Sequence, residues 1–598
     1  MKMYWTNLGV TAALAGATAL TAYGADTGSG EQSKHPGAGI IPADRLAVWT
    51  PGVTVGVPGG IPTNRTNLID VTQPPFNADK TGATDAQPAI MQAIAKAAAN
   101  DVVYLPAGTY RINSVVKTGG KRITLRGAGP DRTILLGYNA YYSIVDLGHS
   151  GGADYQWSSP NARIVASPLK GATELTLGES NVLAGVATGT LCQISLKNDP
   201  KLPVVSHSNW DYLRRQKCRI VGMTTTNVTI FPPLLFDLPA GLEPKLNVPA
   251  AFASFTGLED LTVDGEKASS PAGLVGLTQC YGCWVKNVKV TNATRYLFGV
   301  SDSLQCEIRH CAIMTRKPPF GPNGGGLLFG ACSFCLVEDN IVAETFPHME
   351  IDGGSSGNVF AYNFCDDGGI QGGLLGCTIN SNHGPHNSFN LYEGNYVPKF
   401  QCDGYHGSAS HDTAFRNWFH GSSTKTEQFW ICVNLNRFTR NYSLVGNVLG
   451  RKGATWLYDN GADDFGGFGY DQHFIYMLGM PNMGNGAFSG KAQPSQGKNW
   501  ADWPKLLASE RGKGPGPGGF QELDLDVKAT TLRKGNFNYK DNGVPESESL
   551  GGVDLPKSLY LAAKPAWFAD LAWPPFGPDT QFEKNKIPAQ VRFEVMKK

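Results

Sequence analysis

The sequence predicts an all-β chain wound as a parallel β-helix, and three observations predict it. Glycine (73) and proline (38) are abundant while charged residues make up only 17%, a composition of many tight turns and few long helices. Beyond residue 255 one short strand followed by a polar turn recurs, as in LEDLTVDG, CEIRHCAIM, CLVEDNIVAE, LYEGNYV and LVGNVLG. Aligning the polar turn residue gives Asp260, Asn287, His310, Asn340, Asn363, Asn395, Asn417 and Asn447, spaced by 22 to 32 residues, the size of one solenoid coil with variable loops. Asn340, Asn363, Asn395, Asn417 and Asn447 are expected to stack, each amide bonding the next coil at a spacing of roughly 4.8 Å.

The segments follow in order. Residues 1–24 combine Lys2, an apolar run over 8–22 and the small-residue site Ala22-Tyr23-Gly24. This reads as a secretory signal peptide, so the mature chain is expected to be secreted or periplasmic. Residues 25–75 are Pro- and Gly-rich and read as an extended arm. In 76–157, Asp85 can cap a helix whose Ile90, Ile94 and Ala97 recur at helical spacing, and short strands follow at 102–105 and 109–112 around Pro106-Ala107-Gly108. Residues 158–250 break the rhythm with strand-like pieces (ATELTLGES, GTLCQISL, NVTIFPPLLF) and read as an inserted β-domain, either a structural flap or a carbohydrate contact, with Cys192 and Cys218 as its disulfide. The repeat occupies 251–460. Residues 461–598 hold Gly-rich loops and an aromatic, Pro-rich tail expected to cap the solenoid's open end.

Gly82-Ala83-Thr84-Asp85, the alanine-rich helix and Tyr104-Leu105-Pro106-Ala107-Gly108-Thr109-Tyr110 resemble the opening of the pectate-lyase-like superfamily. The resemblance implies a right-handed parallel β-helix whose first helix caps one end. It leaves the reaction open, because that superfamily holds lyases, hydrolases, epimerases and phage depolymerases.

The balance of 51 Lys+Arg against 50 Asp+Glu excludes a global field that recruits nucleic acid or an anionic membrane. A monomer acting on a polysaccharide is expected. All twelve cysteines lie between Cys192 and Cys432, which suits an oxidising compartment. With 48 residues between Cys280-x-x-Cys283 and Cys332-x-x-Cys335, disulfides or stacked inward thiols are preferred to zinc.

Six of the eleven histidines fall between 348 and 420. Counting back from each turn asparagine brings Asp352, His383, His406 and Arg437 into neighbouring columns, with Glu350 and Asp403 two or three positions further back. The expected catalytic set is His383, His406, Asp403, Tyr405, Arg416, Arg437 and Asp352. Glu350, His386, Glu393, Trp418 and Lys399 are expected to bind substrate. From 399 to 452 seven Lys/Arg face three Asp/Glu, a local excess suited to an acidic, uronate-containing glycan.

β-Elimination needs a base (His383 or His406), a group neutralising the uronate (Arg416 or Arg437) and an acid (Tyr405). A polysaccharide lyase is therefore the first expectation. Calcium, if it does the neutralising, would fall to Asp352, Asp366, Asp367 and Asp403. Hydrolysis by paired carboxyls is the alternative. The order Asp352-Gly353, Asp366-Asp367-Gly368, His383-Gly384, Arg437-Phe438-Thr439 resembles that of polygalacturonase-like glycosidases, although Thr439 stands where they carry lysine. A non-catalytic glycan-binding β-helix is the third reading.

Overall fold

The computed structural model describes residues 35–597 except 139–142, 149–158, 203, 205–210, 270–272, 317–324, 346, 367–377, 423–429, 461–472 and 481–523. The signal-peptide expectation and Asp367 lie outside the described residues, as does most of the Gly-rich stretch after 460.

Each coil contributes three short parallel strands. Over one turn these are Phe298–Ser301, Glu307–Arg309 and Ala312–Arg316, before Leu327–Gly330 begins the next. The first strands of successive coils form an 11-stranded parallel sheet, called here the site sheet. The second and third form two stacks that share one long parallel sheet. Alternation fills the interior: Val300, Phe329, Ile351 and Phe400 point inward from the site sheet and are fully buried. The helix Gln87–Lys96 packs Ile90, Ala93 and Ile94 into the same core.

Register at the corner between the second and third strands is set by side chains. Asn363 Nδ2 donates to Asn395 Oδ1 at 3.0 Å, Asn395 to Asn417 at 2.8 Å and Asn417 to Asn447 at 3.0 Å, while each Nδ2 also reaches a carbonyl of the preceding coil. Asn340 begins the amide stack, and Asn536 extends it 89 residues beyond Asn447. The expected ladder is present, with one correction. Asp260, Asn287 and His310 belong to the neighbouring column, continued by Asp339, Tyr362 and Arg416, where the backbone is left-handed (φ 52–57°). In the His310 coil the ladder position is Cys311, whose N–H donates to Asn340 Oδ1.

The cysteines explain themselves in the same way. Cys335 N–H donates to Asn358 Oδ1 and Cys306 N–H to Cys335 Sγ, so thiols occupy the corner column that Asn358, Asn390 and Asp412 occupy further along. The described cysteines are buried. The predicted Cys192–Cys218 disulfide is absent: the two are opposed on antiparallel strands, but Cys218 is engaged by the Gln216 amide and sits against the Pro232 carbonyl.

The insertion is a closed six-stranded antiparallel barrel, from Ser159–Val165 to Lys245–Val248. The arm and the tail run along the solenoid's side. Trp49 Nε1 donates to the Phe389 carbonyl, and Val57 N–H to Glu307. From the tail, Tyr560 donates to Glu338, Arg592 pairs with Asp339 at 2.6 Å, and Phe593 packs on Phe364. The tail expected to cap the end is thus a strap across the long sheet, because that sheet's outward aromatics need cover.

Two outcomes follow. Asn395→Ala removes four buried hydrogen bonds and should cost about 2–3 kcal/mol in denaturant unfolding. Burial pushes the Asp412 carboxyl up to about 8. The folded state therefore holds a proton that the unfolded chain releases near pH 4, and this contribution is lost as pH rises through 8. Asp412→Asn should flatten that decline, raising the melting temperature above neutral pH while matching wild type near pH 4.

Candidate functional site

The arm and the tail lie on the long sheet, and the polar cluster lies on the outward face of the site sheet. On Met349–Asp352 the side chains of Met349 and Ile351 enter the core, so Glu350 and Asp352 both project outward. The next coils place Asn380, Gln401 and Asn434 in register with Glu350.

His383 stands at the centre. Its Nδ1 is 2.8 Å from Asp403 Oδ2, and its side chain is 21% exposed while Asp403 is fully buried. Asp403 is itself fixed: Asn380 Nδ2 donates to Oδ2 at 2.7 Å, the Tyr405 N–H donates to Oδ1 at 2.8 Å, and Asn436 Nδ2 holds the Asp403 carbonyl at 2.9 Å. The Tyr405 ring stacks on His383 at 5.2 Å, and His406 meets both rings edge-on at 4.8 and 4.6 Å. Backbone bonds tie these turns together, from His383 N–H to the Ile351 carbonyl and from His406 N–H to the His383 carbonyl. Gly384 is required here, since a Cβ at this position would lie 1.4 Å from Asp352 Oδ1.

The electrostatics define an acid–base centre. Burial opposes charge on His383, but Asp403, Glu350 and Asp352 outweigh it and hold the imidazolium up to about 10. Burial raises the Glu350 carboxyl, against the pull of His383 and a hydrogen bond donated by the Tyr296 hydroxyl. Asp352 is likewise raised by burial, opposed by His383, the Gly353 N–H and Arg215. Perturbed carboxyls gathered around one partly exposed imidazole are a mark of function.

The sequence expectation brought Asp352, Glu350, His383, Asp403, Tyr405 and His406 together, and the structure does so too. It separates others. Arg416 occupies the left-handed turn position, points away from the ladder and is 1% exposed, bound bidentately by Asp579 at 2.6 and 2.7 Å and by tail carbonyls. Glu393 is buried beneath the tail, accepting from the Tyr362 hydroxyl and the Leu559 N–H. Trp418 donates to the Gly450 carbonyl and packs on Phe576 and Phe582, so it covers tail rather than sugar. Arg437 is fully buried, with its guanidinium 5.9 Å from the Phe438 ring. His386 lies under the barrel, kept neutral by burial and by Arg214 and Arg215, which lower it to about 3. Lys399 is buried on the site-sheet face, two residues before Gln401.

The basic excess is largely taken up within the protein: Arg416 by Asp579, Arg440 by Asp524, Lys452 by Glu583. The calcium set does not converge, since Asp366 lies on the long sheet and Asp352 on the site sheet. Among the described residues no group of three or more His, Cys, Asp or Glu is arranged to hold a metal ion. Counting from turn residues missed Tyr296, Asn380, Gln401 and Arg215. Asn380 and Gln401 were within reach, three residues from His383 and two from Asp403.

Residues 71–184 match the family described as rhamnogalacturonase A/epimerase, pectate lyase-like. That match over the capping helix and first coils, and the parallel stack that continues from them, support a pectate-lyase-like parallel β-helix. Solved structures similar to it include the tailspike of Pseudomonas phage phi297 (12% identity, 67% of this chain and 66% of that one, TM-score 0.47). Others are the tailspike of Acinetobacter baumannii bacteriophage AP22, solved in complex with capsular saccharide (10%, 63% and 63%, 0.38), and the A-module of the Azotobacter vinelandii mannuronan C-5 epimerase AlgE4 (12%, 70% and 96%, 0.29). The chain thus spans just under two thirds of the phi297 tailspike's length. None of these similarities assigns chemistry. No curated protein matches the sequence significantly.

Gly384→Ala should cut turnover on the order of 10²-fold by displacing Asp352, with an unchanged circular-dichroism spectrum. Gly299→Ala, on the same sheet with open space around its Cβ position, should leave turnover within twofold, as a matched control.

Proposed function

We propose that this protein is a polysaccharide-cleaving enzyme, acting after export, that hydrolyses glycosidic bonds at the polar cluster on the site sheet. The observation that carries the reading is the placement of Glu350 and Asp352 on one strand face against the His383–Asp403 pair. Glycoside hydrolysis needs two carboxyls, one protonated for the leaving oxygen and one ionised for water or the anomeric carbon. Burial favours the protonated form of both carboxyls and the His383 cation favours the ionised form, so the pair suits both the acid and the base role. The buried side-chain amides of Gln401 and Asn434, which have no hydrogen-bond partner, continue from Glu350 along the coils and suit sugar hydroxyls.

β-Elimination is the second reading. It is favoured by Tyr405 and His406, both partly exposed and packed on His383. It loses support because Arg416, expected to neutralise a uronate, is sealed under the tail. Three carboxyls surround the one imidazolium, so the local charge also no longer singles out an acidic glycan.

Incubation with a panel of neutral and uronate polysaccharides tests this. New reducing ends without ultraviolet-absorbing unsaturated ends are expected, and Asp352→Asn and Glu350→Gln should each abolish them. Unsaturated ends would establish elimination instead, and binding without either product would leave a glycan-binding protein.

A further inference from the structure

The inserted barrel meets the solenoid at the two turns that carry the site. Beyond the strand Met349–Asp352, a Cβ on Gly354 would lie 2.0 Å from the Leu213 carbonyl and 3.4 Å from the Arg215 nitrogen, so barrel backbone runs directly over this turn. Ser356 Oγ donates to the Arg215 carbonyl at 2.9 Å. On the second turn, Val204 forms an antiparallel bridge with Gly407, the neighbour of His406.

The same barrel strand, Arg214–Met223, is anchored on the two preceding coils. The Lys217 ammonium pairs with Asp302 at 2.9 Å, with exposures of 0% and 1%, and the Lys217 N–H donates to Ser333 Oγ. Removing one partner of so buried a pair leaves an uncompensated charge, so the pair holds the barrel at one seating. A loosely tethered binding module would have no need of such an anchor.

We propose that the inserted barrel is a working part of the acid–base site: it clamps the turns bearing Asp352 and His406, and it presents Arg215 to Asp352 as a positioning residue. The groups facing Asp352 are Glu350 on its own strand, His383 and Asp403 from the following coils, and Arg215 from the barrel. Asp352 Oδ1 is buried without a hydrogen-bond partner, which makes its ionisation sensitive to that cation. Arg215 favours the ionised form of Asp352, while the Tyr296 hydroxyl donates to Glu350 and favours charge there. The role of Arg215 in turnover rests on the hydrolase reading, whereas the clamp does not.

Two measurements separate them. Gly354→Ala drives a methyl into the Leu213 carbonyl, and hydrogen–deuterium exchange then needs no substrate. About tenfold faster exchange over 352–357 and 405–408 is expected, and unchanged exchange there overturns the clamp. If that variant does not fold, Ser356→Ala, which deletes the bond to Arg215, replaces it in the same measurement. Arg215→Met keeps the barrel strand. On a glycan that the wild type cleaves, the acid limb of its pH–rate profile should move to higher pH with KM within about twofold, because Asp352 loses the cation that favours its charge. An unmoved limb overturns the role of Arg215. If no glycan is cleaved at all, the hydrolase reading and with it the role of Arg215 in turnover fail, while exchange still decides the clamp.

Discussion

The side-chain amides buried at the coil corners from Asn340 onward hold this solenoid in register, and everything else in the structure is placed by that register. A parallel solenoid has no hairpin to set its register, and a slip of one residue exchanges its inner and outer faces. Asn363, Asn395, Asn417 and Asn447 each bond two neighbouring coils at once, so a slip would leave several buried donors and acceptors unpaired together. With register fixed, Glu350, Asn380, Gln401 and Asn434 fall into one outward column, and the turns after them converge on His383. The geometry of the His383 cluster is therefore a by-product of the corner columns. It is also the reason that thiols and amides alternate there: both are small, and both can bond a neighbouring backbone N–H, as Cys335 and Asn340 do.

The three faces of the coil are used differently. The outward surface of the long sheet is taken up by the arm and the tail, whose Asp579, Tyr560 and Arg592 engage Arg416, Glu338 and Asp339. The site sheet presents its polar column and the His383 turn. The barrel closes one side of that turn through Ser356 and Gly407. Charges that look like a substrate grip in the sequence turn out to hold the chain to itself, and the charge left at the polar cluster is a balance among Glu350, Asp352, Asp403, His383 and Arg215.

Much of this was legible in the sequence. The repeat of turn asparagines carried the fold, and counting back from them brought Asp352, His383, Asp403 and His406 into one neighbourhood. The failures share a cause. At several corners two adjacent residues are polar, as in Asp339-Asn340 and Arg416-Asn417, and only one of them joins the ladder. Arg416 and His310 occupy the left-handed position beside the ladder, which a linear alignment does not distinguish from the ladder itself. Glu393 and Trp418 were hidden by contacts more than 150 residues away in sequence, with Leu559 and Phe576, for which no periodic signal exists. Arg215 reaches the site from a barrel whose seating depends on Lys217 and Asp302, 85 residues apart.

The central claim is that His383 is a fixed imidazolium, charged because Asp403, Glu350 and Asp352 surround it. Histidine-labelled nuclear magnetic resonance, with His383 assigned through His383→Gln, tests this without any substrate. The ring should stay protonated through neutral pH and titrate near 10, with its titration falling sharply in Asp403→Asn. A wild-type His383 that titrates near the ordinary value of about 6.5 would contradict the account.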